Sequence, residues 1–365
     1  MEHEKIVVGL LRTAIGRCPA EIKELEMLSG QDWKEVYKIA SGQGVLALIW
    51  DGLKKLSAEY LLPRELRLQW VLNVEKIENR FARYTRTAGE LAGELARQEI
   101  RIMILKGLGL ASLYPVPAHR EGGDIDVWLF GKYEEGNKWA EDNGIDVNVD
   151  YYKHSKFYYR AIPVENHQYF LNVKMDTVDK CLEKKLYDIL ADCPCAELPV
   201  QANKLWTPPA DFNALFLLRH AAVHFASEGI VLRHFCDWAL FWQKCGQKVD
   251  VAAFMNALEG TGLLEFARVF TVLAFDVTGI DPCCCPVPPG ENKQLYRRMQ
   301  NEVLSVVVQN KPIGKSAFTV FLFKARRFFS SRWKHKLVYR SAFVSRIGYS
   351  VAEHLKHPHL LLKLR

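Results

Sequence analysis

Apolar residues recur at helical spacing over roughly the first hundred positions of the chain. Ile6, Leu10 and Leu11 fall on one helical face, and residues 65–97 form a long amphipathic pattern with frequent charges and no proline. Apolar positions three and four residues apart are typical of amphipathic helices. We therefore predict a helical N-terminal region over residues 1–98.

Beyond residue 98 the apolar positions form short runs and period-two alternation, which are typical of strands. The predicted strands are residues 101–105, 124–130, 145–150, 157–162 and 164–170, and a helix is predicted over about 132–143. Helical spacing returns at residue 178 and includes a strong helix after Pro208 and Pro209. The pattern predicts an α+β protein. Its expected parts are a mixed-sheet core over 99–177 and helical regions over 178–310 and 311–365.

The composition agrees with a folded, water-exposed protein. The 365 residues are 49% apolar and 12% aromatic, which is enough for packed cores in two or three domains. The chain contains no run of about 20 uncharged apolar residues, the length that a membrane-spanning helix needs. The opening residues, Met1–Lys5, carry charges of both signs and do not resemble a signal peptide. We therefore expect a cytoplasmic protein.

Positive charge is concentrated at the C-terminal end. Residues 311–365 hold thirteen Lys and Arg against one acid, Glu353, so this segment carries +12 and the rest of the +7 chain carries −5. Nine aromatic residues interleave with the basic ones. This combination suits an anionic membrane surface or nucleic acid as a partner. The alternative is a terminal helical pair that buries the aromatic rings and leaves a basic solvated face.

The nine cysteines do not form the pattern of a disulfide framework. Their number is odd, and a chain of this size does not need covalent cross-links. The two clusters, Cys283–Cys285 and Cys193-Pro194-Cys195, lack the Cys-x-x-Cys spacing that zinc sites favour. Reduced thiols in loops are the prediction, and zinc binding is the alternative.

Two aspartates stand two positions apart at the head of an apolar run. Asp124 and Asp126 follow Gly122-Gly123 and open the predicted strand 124–130. Side chains at i and i+2 of a strand point to one face, so both carboxylates project together. Adjacent like charges repel unless a cation or a shared proton relieves them, and Mg²⁺, or Mn²⁺ in its place, suits oxygen ligands. The alternative is a solvated turn with two ordinary surface acids.

A glycine-containing turn lies upstream, between the first predicted strand and a short helix. It consists of Lys106, Gly107, Leu108 and Gly109. Backbone N–H groups at a helix N-terminus attract anions, and glycine lets a phosphate approach the backbone. The spacing Gly107-x-Gly109-x-x-Ser112 is also close to the dinucleotide-binding fingerprint, although the third glycine is missing. A phosphate-binding turn is the prediction, and dinucleotide binding is the alternative.

Four motifs carry a resemblance to a known family. In chain order they are Leu105-Lys106-Gly107, Tyr114-Pro115, Arg120 and Asp124-Ile125-Asp126. They resemble the bacterial uncharacterised nucleotidyltransferase family and, more distantly, the superfamily of DNA polymerase beta and the antibiotic nucleotidyltransferases. The resemblance implies a nucleotidyltransferase-like sheet, a turn that holds the triphosphate of an NTP such as ATP, and paired aspartates that bind Mg²⁺.

One position departs from the superfamily pattern. Leu108 stands where the superfamily turn usually has glycine or serine, and the serine hydroxyl contacts a phosphate there. Lys106 and Arg120 offer cationic donors that can replace that contact. The predicted nucleotide-binding residues in this part of the chain are Lys106, Gly107, Leu108, Gly109 and Arg120.

The resemblance also implies a third carboxylate on a neighbouring strand. Glu165 and His167 share a face of the predicted strand 164–170. The family that the chain resembles has an acid, a spacer and a histidine at the matching place. Glu165 is the predicted third metal ligand or the base that takes the acceptor proton, and Asp150 is the alternative. His167 is a candidate for binding a phosphate or the acceptor, or for orienting Glu165. A purely structural histidine is the other interpretation.

Two more histidines lie one turn apart on the helix predicted after Pro209. His220 and His224 can share a target, and Arg233 and Asp237 follow on the next predicted helix. Three interpretations are open: core histidines capped by Asp237, contacts from His224 to nucleotide or acceptor, and zinc. The pair lacks the glutamate of the zincin motif. The resemblance to the family extends to this region, which favours the contacts to nucleotide or acceptor.

The resulting functional prediction is Mg²⁺-dependent transfer of a nucleoside monophosphate from an NTP to a hydroxyl acceptor. The acceptor would be a small compound, a sugar, an RNA end or a protein side chain. The alternative is a degenerate nucleotidyltransferase fold that binds nucleotide or a polyanion without turnover. Leu108 favours that alternative and the Asp124/Asp126 pair opposes it. A third alternative is a peripheral membrane or nucleic-acid interaction protein that acts through residues 311–365.

Overall fold

The computed structural model describes residues 2–305 except 17–20, 150, 151, 175, 201 and 228, together with residues 319, 326 and 329–339. Its α-helices include α1 (Glu2–Ile15), α2 (Ile22–Glu26), α3 (Gly30–Gly42), α4 (Leu46–Lys55), α5 (Arg64–Ala96), α6 (Leu108–Ala111), α7 (Tyr133–Asp142), α8 (Thr177–Asp192), α9 (Ala210–Ser227), α10 (Leu232–Cys245), α11 (Val251–Thr261), α12 (Leu264–Thr278) and α13 (Lys293–Ser305), followed by a helix at Arg332–Val338. The strands are β1 (Met103–Ile104), β2 (Ile125–Trp128), β3 (His154–Tyr159), β4 (Ile162–His167), β5 (Ala196–Val200) and β6 (Asn203–Thr207).

The predicted helical N-terminal region is confirmed, and its long helix connects two cores. At the start of α3, the Ser29 side chain accepts from the backbone of Asp32, and the Asp32 side chain accepts from the backbone of Ser29. This capping box stabilises the helix N-terminus. Helix α5 is 33 residues long. Its first half buries Trp70 against the other helices, whereas its second half buries Leu91 against the sheet. The helix thereby fixes the sheet to the helical body.

The predicted α+β class with a mixed sheet is confirmed. The six strands are ordered β3-β4-β2-β1-β6-β5. The β2–β4 and β1–β6 pairs are parallel, and the β1–β2, β3–β4 and β5–β6 pairs are antiparallel. Strand β2 therefore lies in the interior of the sheet, between β4 and β1.

The two faces of the sheet have different partners. Ile125 and Val127 of β2 pack in one core with the second half of α5, whereas Trp128 packs in the larger core with helices such as α9 and α10. Side chains alternate between the faces of a strand. Asp126 consequently shares the face of Trp128, the face that the C-terminal helices cover.

Several predicted strand bounds are wrong, and the cause is backbone geometry at turns. The predicted strand 124–130 ends at Trp128 because Phe130 and Gly131 both have positive φ. The predicted strand 157–162 is interrupted by Arg160 and Ala161, which also have positive φ and form the tight turn between β3 and β4. Non-glycine residues adopt this conformation infrequently, so sequence pattern does not reveal it.

Other predicted elements need correction as well. The predicted strand 145–150 is, over its described residues, only an isolated bridge between Asn148 and Lys156. The region predicted to be helical from residue 178 contains the β5–β6 hairpin, which extends the sheet because β6 pairs with β1. Its strands are short and half exposed, so they lack an apolar signal. The predicted helices at 65–97, 132–143 and after Pro209 are confirmed.

The basic segment 311–365 lies mostly outside the described residues, so its partner prediction stays a prediction. Within residues 329–339, Trp333 packs edge-on against Phe225 of α9, with ring centroids 5.4 Å apart, and lies under the Arg298 guanidinium of α13. No helix in the described ranges combines the length and the apolarity that crossing a membrane requires. The eight cysteines among the described residues are free thiols.

A buried histidine attaches the loop before the acidic strand to two helices. His119 Nδ1 lies 2.5 Å from Asp51 of α4 and Nε2 lies 2.9 Å from Glu78 of α5. Burial disfavours the imidazolium, but Asp51 and Glu78 outweigh burial and raise the pKa of His119. Lys54 also lies 3.7 Å from Asp51.

We expect His119→Gln to destabilise the protein most at low pH. Because the pKa of His119 is raised in the folded state, its stabilising contribution is fully present below the unfolded pKa of about 6.5 and is lost as pH rises through the folded value. The expected cost is about 1.5–3 kcal/mol near the acidic end, typical of hydrogen bonds to charged groups. Urea unfolding of both proteins from about pH 5.5 to 9 measures it. A stability difference that does not vary with pH would contradict a charged His119.

Candidate functional site

Three carboxylates converge on the sheet face toward the C-terminal helices. Asp126 of β2 is in register with Glu165 of the parallel strand β4, and Asp124 precedes Asp126 by two residues on the same face. One carboxylate oxygen from each residue lies within 4.8 Å of the others. We call Asp124, Asp126 and Glu165 the acidic trio. The structure therefore brings together the three residues that the sequence predicts as metal ligands.

The electrostatics of the acidic trio are unequal. Burial, followed by repulsion from Asp126, raises the pKa of Asp124, and the same causes raise the pKa of Glu165. Burial would also raise the pKa of Asp126, but Lys106 and His167 outweigh burial and lower it. Asp126 is thus the permanent anion of the group, whereas Asp124 and Glu165 hold protons more readily.

Two cationic or hydrogen-bonding groups approach the same oxygen of Asp126. Lys106 Nζ lies 3.0 Å from Asp126 Oδ1, and His167 Nε2 lies 3.1 Å from it. Lys106 reaches this position because the backbone N–H of Leu105 donates to the carbonyl of Asp126 and holds the two segments together. Burial tends to lower the pKa of Lys106, but Asp126, Asp124 and Glu165 raise it, so the ammonium stays charged.

The acidic trio fits a divalent cation. Asp126 is 2% exposed, and its second oxygen, Oδ2, is buried with no hydrogen-bond partner. An unpartnered buried carboxylate oxygen is costly unless an ion or a proton compensates it. Three carboxylates within reach of one point supply the oxygen donors that Mg²⁺ and Mn²⁺ prefer. The donor set and the unpartnered oxygen both suit such an ion.

The predicted phosphate-binding turn is a single tight turn. Gly107 has φ +60° and ψ −112°, which only glycine adopts without strain, and α6 begins at Leu108 and ends at Ala111. Gly109 lies against the Ile104 carbonyl and Thr207, where a Cβ would come within 3.3 Å of the carbonyl oxygen. Gly109 thus has a packing role. The dinucleotide alternative is wrong because β1 and β2 are antiparallel, not the parallel pair of a βαβ unit.

Arg120 is held by a buried ion pair. Its Nε and Nη2 atoms each lie 2.8 Å from a carboxylate oxygen of Asp237 in α10, and the Tyr114 hydroxyl donates to the same carboxylate at 2.7 Å. Bidentate pairing of this kind fixes the guanidinium plane. Asp237 therefore pairs with Arg120 and Tyr114, and the interpretation in which it caps His220 and His224 is wrong.

A cluster of three histidines, His220, His224 and His234, borders Lys106 on the side of the C-terminal helices. His220 Nε2 lies 3.2 Å from Lys106 Nζ and 3.2 Å from His224 Nε2, and the His234 ring follows 5.5 Å from the His224 ring. Burial and the nearby Lys106 hold the pKa of His220 well below its usual range, and burial with Arg233 lowers the pKa of His234 to about 3. Both rings are therefore neutral at pH 7 and can accept hydrogen bonds.

A cleft opens beside Asp124. One wall is helix α5, with Ile77, Arg80, Phe81 and Tyr84, and the other is the 107–108 turn with residues 120–122. The Tyr84 hydroxyl donates to the Gly123 carbonyl at 2.7 Å, which attaches the acidic strand to α5. Aromatic and apolar side chains with a few convergent charged groups are typical of small-molecule sites.

The structure also adds residues that sequence analysis missed. His154 and Lys156 of β3 face Glu165, with His154 Nε2 and Lys156 Nζ each 3.6 Å from a Glu165 oxygen. Both were missed because the predicted strand began at Phe157, three residues after the observed start. The His-x-Lys spacing at period two was the available signal. Asp150, the alternative third carboxylate, lies outside the described residues.

Comparison with known proteins agrees with this geometry. The sequence profile of a family described as uncharacterised nucleotidyltransferase matches residues 29–279. The chain belongs to this family. The match spans more than two-thirds of the 365 residues and includes the acidic trio, the 106–109 turn and the histidine cluster. No curated protein and no solved structure matches the chain.

Proposed function

We propose that this protein transfers a nucleoside monophosphate from an NTP to a hydroxyl acceptor, with Mg²⁺ or Mn²⁺ as cofactor. The observation that carries the proposal is the acidic trio, whose central member has a buried oxygen without a partner. Membership of a nucleotidyltransferase family supports the same reaction class.

The residues have distinct roles in this proposal. Asp124, Asp126 and Glu165 hold the metal ion, which when bound stabilises charge on the attacking and leaving oxygens. Glu165, on the neighbouring strand β4, takes the hydroxyl proton of the acceptor where it does not serve as the third metal ligand. The acceptor oxygen attacks the α-phosphorus, the bond between the α-phosphorus and the bridging oxygen breaks, and pyrophosphate leaves.

The phosphates are bound by the cations next to the acidic trio. Lys106 lies between Asp126 and His220, and we propose that it contacts the triphosphate together with the 107–108 turn. Arg120, oriented by Asp237, lines the cleft at Asp124 and serves the same purpose. His167 lies against Asp126, and we propose that His224, next to His220, contacts the phosphates.

A second candidate is nucleotide binding without turnover. The favouring observation is the Lys106 ammonium, 3.0 Å from Asp126, which already neutralises the central carboxylate. Leu108, which replaces the usual small or hydroxyl residue of the turn, favours it as well. In this candidate Lys106 stays on Asp126, and a nucleotide binds through the cleft and the exposed cations.

Labelled nucleotides separate the two candidates. Each of the four NTPs is incubated with the protein, Mg²⁺ or a chelator, and hydroxyl acceptors (a sugar, an RNA end, a protein). Transfer of label from the α-phosphate, with equimolar pyrophosphate and no transfer from the γ-phosphate, is the expected result. A thermal shift with NTP but no pyrophosphate would favour binding alone. If no NTP binds or reacts, both candidates are wrong.

A further inference from the structure

Two histidines on adjacent strands lie beside Glu165 of the acidic trio. His154 of β3 lies directly opposite His167 of β4, and their ring centroids are 5.2 Å apart. The two Nε2 atoms approach one oxygen, Glu165 Oε2, at 3.6 and 3.9 Å. Glu165 Oε1 instead faces Lys156 Nζ at 3.6 Å, which fixes the rotation of the carboxylate. Three different ligand atoms thus converge on one point.

The hydrogen bonds of His167 cannot all be made by a neutral ring. Its Nδ1 lies 3.2 Å from the Tyr169 carbonyl oxygen, and its Nε2 lies 3.1 Å from Asp126 Oδ1. Both partners are acceptors, whereas a neutral imidazole has one N–H. If Nδ1–H donates to the carbonyl, the Nε2 lone pair points at the carboxylates of Asp126 and Glu165. A cation at Nε2 removes this conflict, and Nδ1–H donating to a carbonyl is the usual support of a metal-bound histidine.

We propose that His154, Glu165 and His167 form a binding site for a transition-metal ion, with Glu165 shared between this site and the acidic trio. Two imidazoles and one carboxylate suit Zn²⁺ or Co²⁺ and not Mg²⁺, which prefers oxygen ligands and retains water. Three protein ligands leave a coordination position open, as in metal sites that bind a further ligand. The proposal does not require that the protein transfers nucleotides.

Nearby charges set which ion the site prefers. Lys106 bonds Asp126, and Lys156 lies beside Glu165, so two ammonium groups reduce the electrostatic attraction of any cation. The affinity of an ion that is held mainly by the negative charge of carboxylate oxygens falls most. The affinity of an ion that forms strong bonds to imidazole nitrogen falls least. The neighbouring lysines therefore increase the preference for a nitrogen-binding metal over Mg²⁺ at this position.

Titration of the untagged, full-length protein with Co²⁺ tests the proposal. Visible absorption reports the bound ion, and pulsed EPR detects imidazole nitrogen in its coordination sphere. We expect one imidazole-ligated Co²⁺ in the wild type, with affinity reduced by about 10-fold or more in His154→Gln. His3→Gln removes a half-exposed histidine that bonds Asp32 on the first helices, and should leave the signal unchanged. Asp124→Asn, which disrupts the acidic trio but not this site, should retain imidazole ligation.

Other results of the Co²⁺ titration would contradict the proposed metal site. The proposal is overturned if the wild type shows no imidazole-ligated Co²⁺, if only thiolate-ligated Co²⁺ is seen, or if His154→Gln binds as tightly as wild type. Should His154→Gln fail to fold, ¹⁵N-histidine NMR of the wild type with Zn²⁺ decides. Shifts of two Nε2 resonances support the site, and unchanged resonances overturn it. Absence of nucleotide transfer would refute the proposed function and leave these outcomes unaffected.

Discussion

Asp126→Asn is expected to reduce metal-dependent nucleotide transfer by about 10³-fold or more. Asparagine keeps the shape of the side chain but removes the charge that is held most firmly in the acidic trio. The pKa of Asp126 is lowered by Lys106 and His167 despite burial, so this carboxylate is ionised throughout the usual assay range. Steady-state pyrophosphate release with saturating NTP and Mg²⁺ measures the effect.

The same substitution has two opposing effects on stability. It leaves the Lys106 ammonium beside a neutral amide, which is unfavourable for a buried charge. It also relieves the repulsion that Asp126 exerts on Asp124 and Glu165. We therefore expect a change in unfolding free energy well below the 3–5 kcal/mol or so that accompanies a broken buried ion pair. Loss of transfer with a nearly unchanged melting temperature would separate chemistry from folding.

A matched substitution controls for the change of residue type. Asp146→Asn alters an exposed acid in the loop after α7, away from the cleft, and should leave transfer and stability unchanged. Transfer by Asp126→Asn at the wild-type rate would be incompatible with a role of Asp126 in holding the metal. Loss of transfer in both variants would indicate an effect unrelated to the acidic trio.

The parts of the site that follow local rules could be predicted from the sequence. Asp124 and Asp126 share a face because strand side chains alternate, and that holds whatever β2 pairs with. Glu165 was placed on a neighbouring strand by period two and family resemblance. That it stands in register with Asp126 depends on β2 and β4 pairing in parallel, which no local pattern encodes.

The parts of the site that depend on long-range packing could not be predicted from the sequence. Arg120 was predicted to contact phosphate, yet its partner Asp237 lies 117 positions away, where the sequence indicated a cap for His220 and His224 instead. His154 was missed because the turn at Arg160 and Ala161 is formed by residues that seldom adopt positive φ, which displaced the predicted strand along the chain. The β5–β6 hairpin was missed because its exposed strands lack apolar alternation.

Asp237→Leu is expected to cost about 3–5 kcal/mol in unfolding free energy. It removes both hydrogen bonds to the Arg120 guanidinium and the acceptor of the Tyr114 hydroxyl, and so leaves a buried positive charge without a partner. Arg120 is only 8% exposed, so water cannot compensate the lost contacts. Urea denaturation with extrapolation to zero denaturant measures the cost.

The double variant Arg120→Met/Asp237→Leu tests the physical reason for that cost. Replacing both members of a buried ion pair by apolar residues of similar size is often nearly neutral, because desolvation of the charges offsets their attraction. We therefore expect the double variant to be more stable than Asp237→Leu alone. If it is equally unstable, the cost comes from packing around Asp237 and not from the unpaired charge.

The double variant also separates the two roles of Arg120. Because Arg120 lines the cleft at Asp124, the double variant should bind NTP more weakly than the wild type even where its stability is restored. Asp179→Leu is the matched comparison. It breaks the buried Arg219–Asp179 pair, whose Nε–Oδ1 distance is 2.7 Å, outside the lining of the cleft. It should destabilise to a similar extent yet leave the NTP affinity of the folded protein unchanged. Equal NTP affinity in the wild type and the double variant would exclude Arg120 from phosphate binding and restrict it to a structural role.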